Sequence, residues 1–264
     1  QEVVENLRKK WGSDDPIHVR YFKYMLNLFK GDLGTSYRTH TAVTALIGDK
    51  LIATLTLVGM AGLGSTILGV LFGFLAGIRH GSFTDLFSMG FAILGISAPR
   101  FWVGLMLIYL FSVIIGILPA SGFGGGGIRY YILPSITLGI PMISLLARTT
   151  RASVLDVVSE DYVRTARSKG LSELVVRYKH IFRNAFLPVI TIAGLQLGTM
   201  LANTVVVEKV FSWPGLGNLI VNSIMRRDIP AVQGCILIFA VGFIMVNLSV
   251  DIMYAYLDPR IRYD

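Results

Sequence analysis

The chemistry most densely written into this chain is that of contact with a partner. Between two strongly apolar stretches lies SEDYVRTARSKGLSELVVRYKHIFRNAF, from Ser159 to Phe186. It carries six Arg or Lys residues and three carboxylates in a protein only 15% charged. Ser159 is the predicted N-cap, with Glu160 and Asp161 in a first turn where carboxylates meet the positive helix end. Arg167 and Lys169 close the helix, and Gly170 suits the left-handed position after it. Ser172 then caps a second helix. The expected unit is helix, glycine, helix. The apolar face of its first member is Tyr162, Val163 and Ala166, with Leu171 after the turn, rimmed by Arg164, Arg167 and Lys169. A helix of about eleven residues is marginal alone and needs something to dock on. The residues leave two hosts open: a partner protein, or an anionic membrane surface that takes the cations.

Other chemistry is excluded more easily than assigned. No G-x-x-x-x-G-K-[ST] occurs, and the run Gly124 to Gly127 lacks the following Lys-Ser/Thr of a phosphate-cradling loop. No His-Glu-x-x-His occurs, and His18, His40, His80 and His180 are scattered, so no metal site and no catalytic residue is assigned. A single cysteine, Cys235, permits no intrachain disulfide. Apart from Arg148 at a span end, the expected spans hold only Arg100 and Asp251, and no midplane carboxylate of the kind that ion-driven carriers use. Asp251 can pair with a nearby arginine such as Arg260. Arg100 follows Pro99 and is either satisfied by carbonyls freed at a kink or is a pore-facing contact for a substrate carboxylate. Gln196 and Asn203, seven apart, share one helix face, which either lines a path or bridges helices.

The elements that carry these residues are membrane spans. The chain is 53% hydrophobic over 264 residues. Leu51 to Ile78, Tyr130 to Ala147, Ala185 to Val207 and Ala231 to Val250 hold no Asp, Glu, Lys, Arg or His, and Leu86 to Ile128 holds only Arg100. Crossing about 30 Å of hydrocarbon takes roughly 20 apolar residues. Five spans follow, at about 51–78, 86–118, 131–150, 185–207 and 233–257. Arg148 to Arg183 contains eight Arg or Lys, which places that loop, the turn RHGSFTD and the tail 258–264 in the cytoplasm. The net charge of +8 then belongs to inner loops and does not indicate nucleic acid. Parity requires 86–118 to cross once, as a single long tilted helix kinked at Pro99. Residues 1–50 fall outside, with a surface helix marked by Val19, Phe22, Tyr24, Met25, Leu28 and Phe29. The outer segment 208–232, with SWPGLG, reads as a surface-lying or re-entrant piece. Gly59, Gly62, Gly69, Gly73 and Gly77 are expected to let helices approach closely.

Read together and in order, several stretches resemble the permeases of ABC importers, in their dipeptide, oligopeptide and nickel branch. They are GDLGTS (31–36), LGISAPRFWVGL (94–105), YILPSITLG (131–139), EDYVRTARSKGLSELVVRYKHIFRNAFLP, VVEKVFSWPGLGNLI (206–220), RRDIPAVQG (226–234) and NLSVDIMYAYLDPRIR (247–262). The wider superfamily opens its loop with Glu-Ala-Ala where this chain has Arg164, Thr165 and Ala166. The resemblance implies an all-α polytopic helical bundle of the type I ABC-importer permease kind, with a family span ahead of residue 1 that this sequence does not contain. It implies a heterodimer with a second homologous permease, two ATPase subunits that carry ATP-Mg, and an extracytoplasmic substrate-binding protein. This chain itself binds no cofactor. The location implied is a prokaryotic plasma membrane with the C-terminus inside, and the substrate a small peptide, glutathione or a nickel chelate. Tyr162, Val163, Arg164, Ala166, Arg167, Gly170 and Leu171 become the ATPase-coupling residues. Arg100, Gln196, Asn203 and Trp213 become the translocation path or gate, and Arg226 and Asp228 the binding-protein contact. The rival readings are an ion-coupled carrier or channel and a membrane-embedded enzyme. They need a midplane carboxylate or filter, and a nucleophile or metal set, respectively.

Overall fold

A computed structural model of the protein describes residues 16–257. Among them the helices are, in chain order, α1 (Ile17–Phe29), α2 (Val43–Ile78), α3 (Phe83–Ser97), α4 (Arg100–Ile108), α5 (Ile128–Val158), α6 (Asp161–Ser168), α7 (Glu173–Val175), α8 (Arg183–Ala185), α9 (Leu187–Val210), α10 (Leu216–Met225) and α11 (Ile229–Leu257). Wider π-helical turns extend α4 over Tyr109–Ile114 and join α7 to α8 over Val176–Phe182. The only β pairing among the described residues is one bridge between Thr35 and Ala42. The tail 258–264 and Arg260 lie outside the described residues.

Four helices, α2, α5, α9 and α11, are long and apolar enough to cross a bilayer. All four run past a bound of the spans expected from the uncharged runs, two of them by the most. α2 begins at Val43, ahead of Asp49 and Lys50, and α5 continues to Val158, past Arg148 and Arg151. Charge marks the edge of the hydrocarbon, but the backbone hydrogen-bond ladder has no reason to stop there. At 36 residues, α2 is about 54 Å long, well beyond the hydrocarbon thickness.

The expected single tilted helix over 86–118 is overturned. α3 and α4 qualify as a span only together, and they meet at a bend of 110°. Pro99 cannot donate a backbone hydrogen bond and pushes the residue before it out of helical conformation. Ala98 and Pro99 are both extended, with ψ of 130° and 131°, so two residues turn the chain where one proline would only kink it. The broken pair still joins opposite ends of the bundle. Asp85 in α3 meets Arg151 near one end of α5, and Phe123, beyond α4, packs on Tyr131 at the other.

α2 and α5 form the spine. Gly69, Gly73 and Gly77, one turn apart on α2, face Leu146, Ala147 and Val154 of α5. A Cβ on Gly69 or Gly73 would run into α5 backbone. Gly62 abuts the Leu197 side chain, whereas Gly59 faces open space. The close approach lets side chains on either side form one core running from Tyr131 and Trp213 through Leu57, Leu138 and Leu146 to Val70. A satellite core of Phe74, Val154, Val163, Val176 and Ile181 closes the α6 end. A second one, of Val43, Ile47, Leu216 and Cys235, closes the α10 end. α1 has no buried residue, and Ile17, Tyr21, Phe22, Leu26 and Phe29 are exposed on it.

Gly73→Val is expected to force α2 off α5 and destabilise the protein by about 1–3 kcal/mol. The change is measured as a lowered thermal midpoint in detergent, with Gly59→Val, which meets no atom within 4 Å, as the neutral control.

Candidate functional site

Most of the candidate residues collect at the two ends of this spine. At the α6 end, α5 stops at Val158 and the chain turns back through Ser159. Ser159 is not the N-cap of α6. Its hydroxyl donates to the Asp156 carbonyl, ending α5, and Glu160 occupies the cap position. Gly170 takes φ +76°, the left-handed conformation expected of it, and the second helical stretch starts after Ser172. A designated docking face is corrected here. Val163 is fully buried and Ala166 nearly so, both turned into the chain's own core against Val154, Val176 and Ile181. An eight-residue helix needs a host, and the helix finds part of that host inside its own chain.

What remains outward is Tyr162 (41% exposed), Leu171, Arg164 and Arg167. Tyr162 Oη accepts from Asn184 Nδ2 at 3.0 Å, and Arg167 Nε lies 2.9 Å from Glu173 Oε1. Arg164 sits 3.6 Å from Asp161, an exposed pair that contributes little stability. The platform under α6 is tied to the broken helix. Asp85 accepts from Arg151 Nη2 at 2.9 Å and from the Gly81 N–H at 3.0 Å, with His80 Nδ1 3.1 Å away. Arg151 precedes Val154 by one turn of α5, so the α6 seat and the start of α3 hang on the same helical stretch. No sequence signal marks this pair, because its members are 66 residues apart.

At the α10 end a fully buried Glu208 is the centre, a residue the sequence reading missed. It lies on α9, one residue beyond the proposed span, and its only signal was a lone carboxylate in an apolar run ahead of a Pro-Gly turn. Oε1 accepts from Thr54 Oγ1 at 2.6 Å and Oε2 from the Asn218 N–H at 3.0 Å. The same Thr54 oxygen accepts from the Leu216 N–H at 2.8 Å. One carboxylate and one hydroxyl thus join α2, α9 and the first turn of α10, where the helix dipole favours negative charge. Glycine at 215 and 217 is required by this approach, since a Cβ at either would press on the Glu208 carboxylate. Ser212, with φ +49°, makes the tight turn that leads there.

Trp213 is not a pore-lining or gating side chain. It is fully buried between Phe123 and Tyr131, with ring centroids 4.9 and 4.6 Å away, and its Nε1–H donates to the Ala53 carbonyl at 2.9 Å. Asp228 is corrected as well. Only 5% exposed, it accepts from the Ser36 hydroxyl and, at 3.0 Å, from the Tyr37 N–H, clasping the segment before α2 to the start of α11. Both carboxylate oxygens are thus engaged inside the chain's own fold. Arg226 is exposed, and its carbonyl accepts from Arg38 Nε at 3.2 Å.

Gln196 and Asn203 do share a face of α9, and Thr199 between them completes a polar stripe. Thr199 Oγ1 donates to Gln196 Oε1 at 3.0 Å, and Asn203 Nδ2 donates to the Thr199 carbonyl at 2.7 Å. The stripe bridges no other helix among the described residues. Arg100 opens α4 at the break, half-buried, with a buried Nη1 that has no hydrogen-bond partner among the described residues. Asp251 is exposed.

Residues 69–263 match the family model described as binding-protein-dependent transport system inner membrane component. The chain is 43% identical over 262 residues to the glutathione transport system permease protein GsiC of Salmonella paratyphi A, covering 99% of this chain and 85% of that one. It is 44% identical to GsiC of Escherichia coli K12, with the same coverage. Among solved structures, an amino acid ABC transporter superposes with TM-score 0.64 at 20% identity, over 81% of this chain and 94% of that one. The MetNI methionine ABC transporter in an inward-facing form superposes with TM-score 0.66 at 15% identity, over 81% and 97%.

Glu208→Ala leaves the hydrogen-bond donors of Thr54 and Asn218 unpaired. We expect a loss of about 2–3 kcal/mol and faster amide exchange across 211–225. Thr54→Val, which strands the Leu216 N–H, should give a loss of about 1–2 kcal/mol with the same local exchange signature.

Proposed function

The chain belongs to the binding-protein-dependent transport system inner membrane components, the permease subunits of ABC importers, and we propose how it does its part and what it carries. As a permease it supplies a membrane path and no catalytic step. ATP-Mg would be bound and hydrolysed on two ATPase subunits at the α6 end, beneath a pore shared with a second, homologous permease. An extracytoplasmic binding protein would deliver substrate at the α10 end. The C-terminus and the α6 end then face the cytoplasm, in keeping with the Arg and Lys excess around α6.

One observation carries the coupling role. α6 is divided into a buried side, Val163 and Ala166, fixed to the permease core, and an exposed side of Tyr162, Arg164 and Arg167, which Leu171 extends after the turn. A helix gripped from one side and open on the other transmits displacement. Through Val154 and the neighbouring Arg151–Asp85 pair, a push on α6 reaches α3 and the break at Pro99. Gly170 matters because its left-handed backbone sets the angle between α6 and the stretch that follows; a side chain there is strained by about 1–2 kcal/mol.

The polar stripe Gln196, Thr199 and Asn203 is proposed to line the path, and Arg100 at the break to meet a carboxylate on the cargo. Both features suit a small zwitterionic or anionic peptide. The names of the GsiC relatives point within that class to glutathione. Arg226 is proposed as a contact for the binding protein, from its exposed place between α10 and α11.

The test is reconstitution of the full transporter in liposomes with its binding protein. The triple variant Tyr162→Ala, Arg164→Ala, Arg167→Ala should keep its thermal midpoint, because these side chains are exposed, and lose at least about tenfold of substrate-stimulated ATP hydrolysis. Asp85→Arg or Arg151→Asp alone should uncouple as well, with partial recovery when the two are combined. Normal coupling in the triple variant would overturn the assignment of α6. Failure of glutathione to stimulate any form would overturn the choice of cargo alone.

A further inference from the structure

The Asp228 clasp at the α10 end brings together two exposed turns that carry arginines. Ser36 donates to one carboxylate oxygen of Asp228 and the Tyr37 N–H to the other, which lays the turn 36–41 against the turn from α10 to α11. Across that seam Arg38 Nε donates to the Arg226 carbonyl at 3.2 Å, so its guanidinium stands at the backbone of Arg226 and Arg227. All three arginines are exposed, and none forms an ion pair among the described residues. Residues 36–41 and 222–229 contain one carboxylate, that of Asp228, and it is turned inward. Beside the arginines Met225 is 80% exposed and Ile224 is exposed as well.

The backbone holds one of these cations at a cost. Arg227 follows α10 with φ +56°, its N–H donating to the Ile224 carbonyl at 3.0 Å. This left-handed place after a helix usually belongs to glycine, because a Cβ is crowded there. A strained arginine is kept where its side chain has a use.

The surface also stands clear of the bilayer. Asp49, exposed on α2, marks the edge of the hydrocarbon. Val43, which opens α2, lies six residues further out, about 9 Å at the helical rise, and the turn 36–41 comes before it. The headgroup layer is only roughly 5–8 Å deep on each side. Lipid phosphates, moreover, need no fixed arrangement of cations, whereas these are pinned by a buried carboxylate and by backbone. Arginine and methionine together, with carboxylates withdrawn, are the composition of a protein interface.

We propose that Arg38, Arg226 and Arg227, with Met225 beside them, form the seat for an acidic face of the extracytoplasmic binding protein. This rests on the reading that a binding protein docks at the α10 end, and adds the chemistry of the face that docks. That face offers carboxylates to the three guanidiniums and an apolar hollow to Met225. The unpaired positive charge also draws the acidic face in and orients it during encounter.

The test uses the full transporter in nanodiscs of neutral phosphatidylcholine, with the transporter's own purified binding protein titrated by biolayer interferometry. Wild-type affinity should fall at least about tenfold between about 50 and 300 mM NaCl. Arg38→Gln, Arg226→Gln and Arg227→Gln combined should weaken binding about tenfold or more at low salt and remove most of the salt dependence. Met225→Ser should weaken binding and keep the salt dependence. Arg227→Gly should raise the thermal midpoint while lowering affinity about threefold, a pair of opposite signs that a purely structural arginine would not give. A photo-crosslinker at Met225 should capture the added binding protein. The proposal is overturned if wild-type affinity is indifferent to salt, if the triple Gln variant binds like the wild type, or if the crosslinker captures lipid or the second permease instead. Those results leave binding-protein dependence standing; a binding protein that docks on no form at all overturns that reading and this proposal with it.

Discussion

The near-contact of two backbones along the Gly69, Gly73, Gly77 stripe is the constraint from which the rest of this permease is built. In hydrocarbon, helices gain little by hiding apolar surface from lipid that is equally apolar, so close van der Waals packing has to hold them together. Three glycines one turn apart allow α5 to lie directly on α2 over about two turns. Both helices outrun the bilayer, so a rigid pair projects at each side. At one projection Phe74 and Val154 make the seat for α6; at the other Thr54 and Tyr131 receive Glu208 and Trp213.

Polar chemistry is then used sparingly and at the ends of the spine. Glu208 and Thr54 fix α10 to α2 and α9, Asp228 fixes the segment before α2 to α11, and Asp85 with Arg151 fixes the broken span to α5. Each is a buried carboxylate satisfied by donors from a distant part of the chain. Such groups are costly to leave unpaired, which makes them good determinants of which elements sit together. The central part of the bundle, by contrast, is held by glycine, alanine and branched aliphatics. That division suits a transporter whose two faces must answer one another through a rigid body.

The break at Pro99 illustrates how a local rule can be right in place and wrong in degree. Proline predicts an interruption, and one occurs there. That it becomes a 110° turn depends on Ala98 also leaving the helical region and on Gly104 letting α4 settle against Phe211, Val210 and Thr137. Likewise the apolar residues of α6 were legible as a docking face, but periodicity could not say that the host of Val163 and Ala166 would be the chain's own Val154, Val176 and Ile181.

By itself the sequence determined the class, the apolar segments, the helix–glycine–helix unit around Gly170 and the order of motifs that marks the family. These follow from local properties: run length, charge, caps and the left-handed tolerance of glycine. Only the tertiary structure decided that Trp213 and Asp228 are internal anchors, that Glu208 is the hub of the α10 end, and which side of α6 is free. Those outcomes depend on contacts between residues as far as 192 positions apart, as Ser36 and Asp228 are. A side chain's role there is set by what the fold brings to it, and a linear pattern carries no record of that.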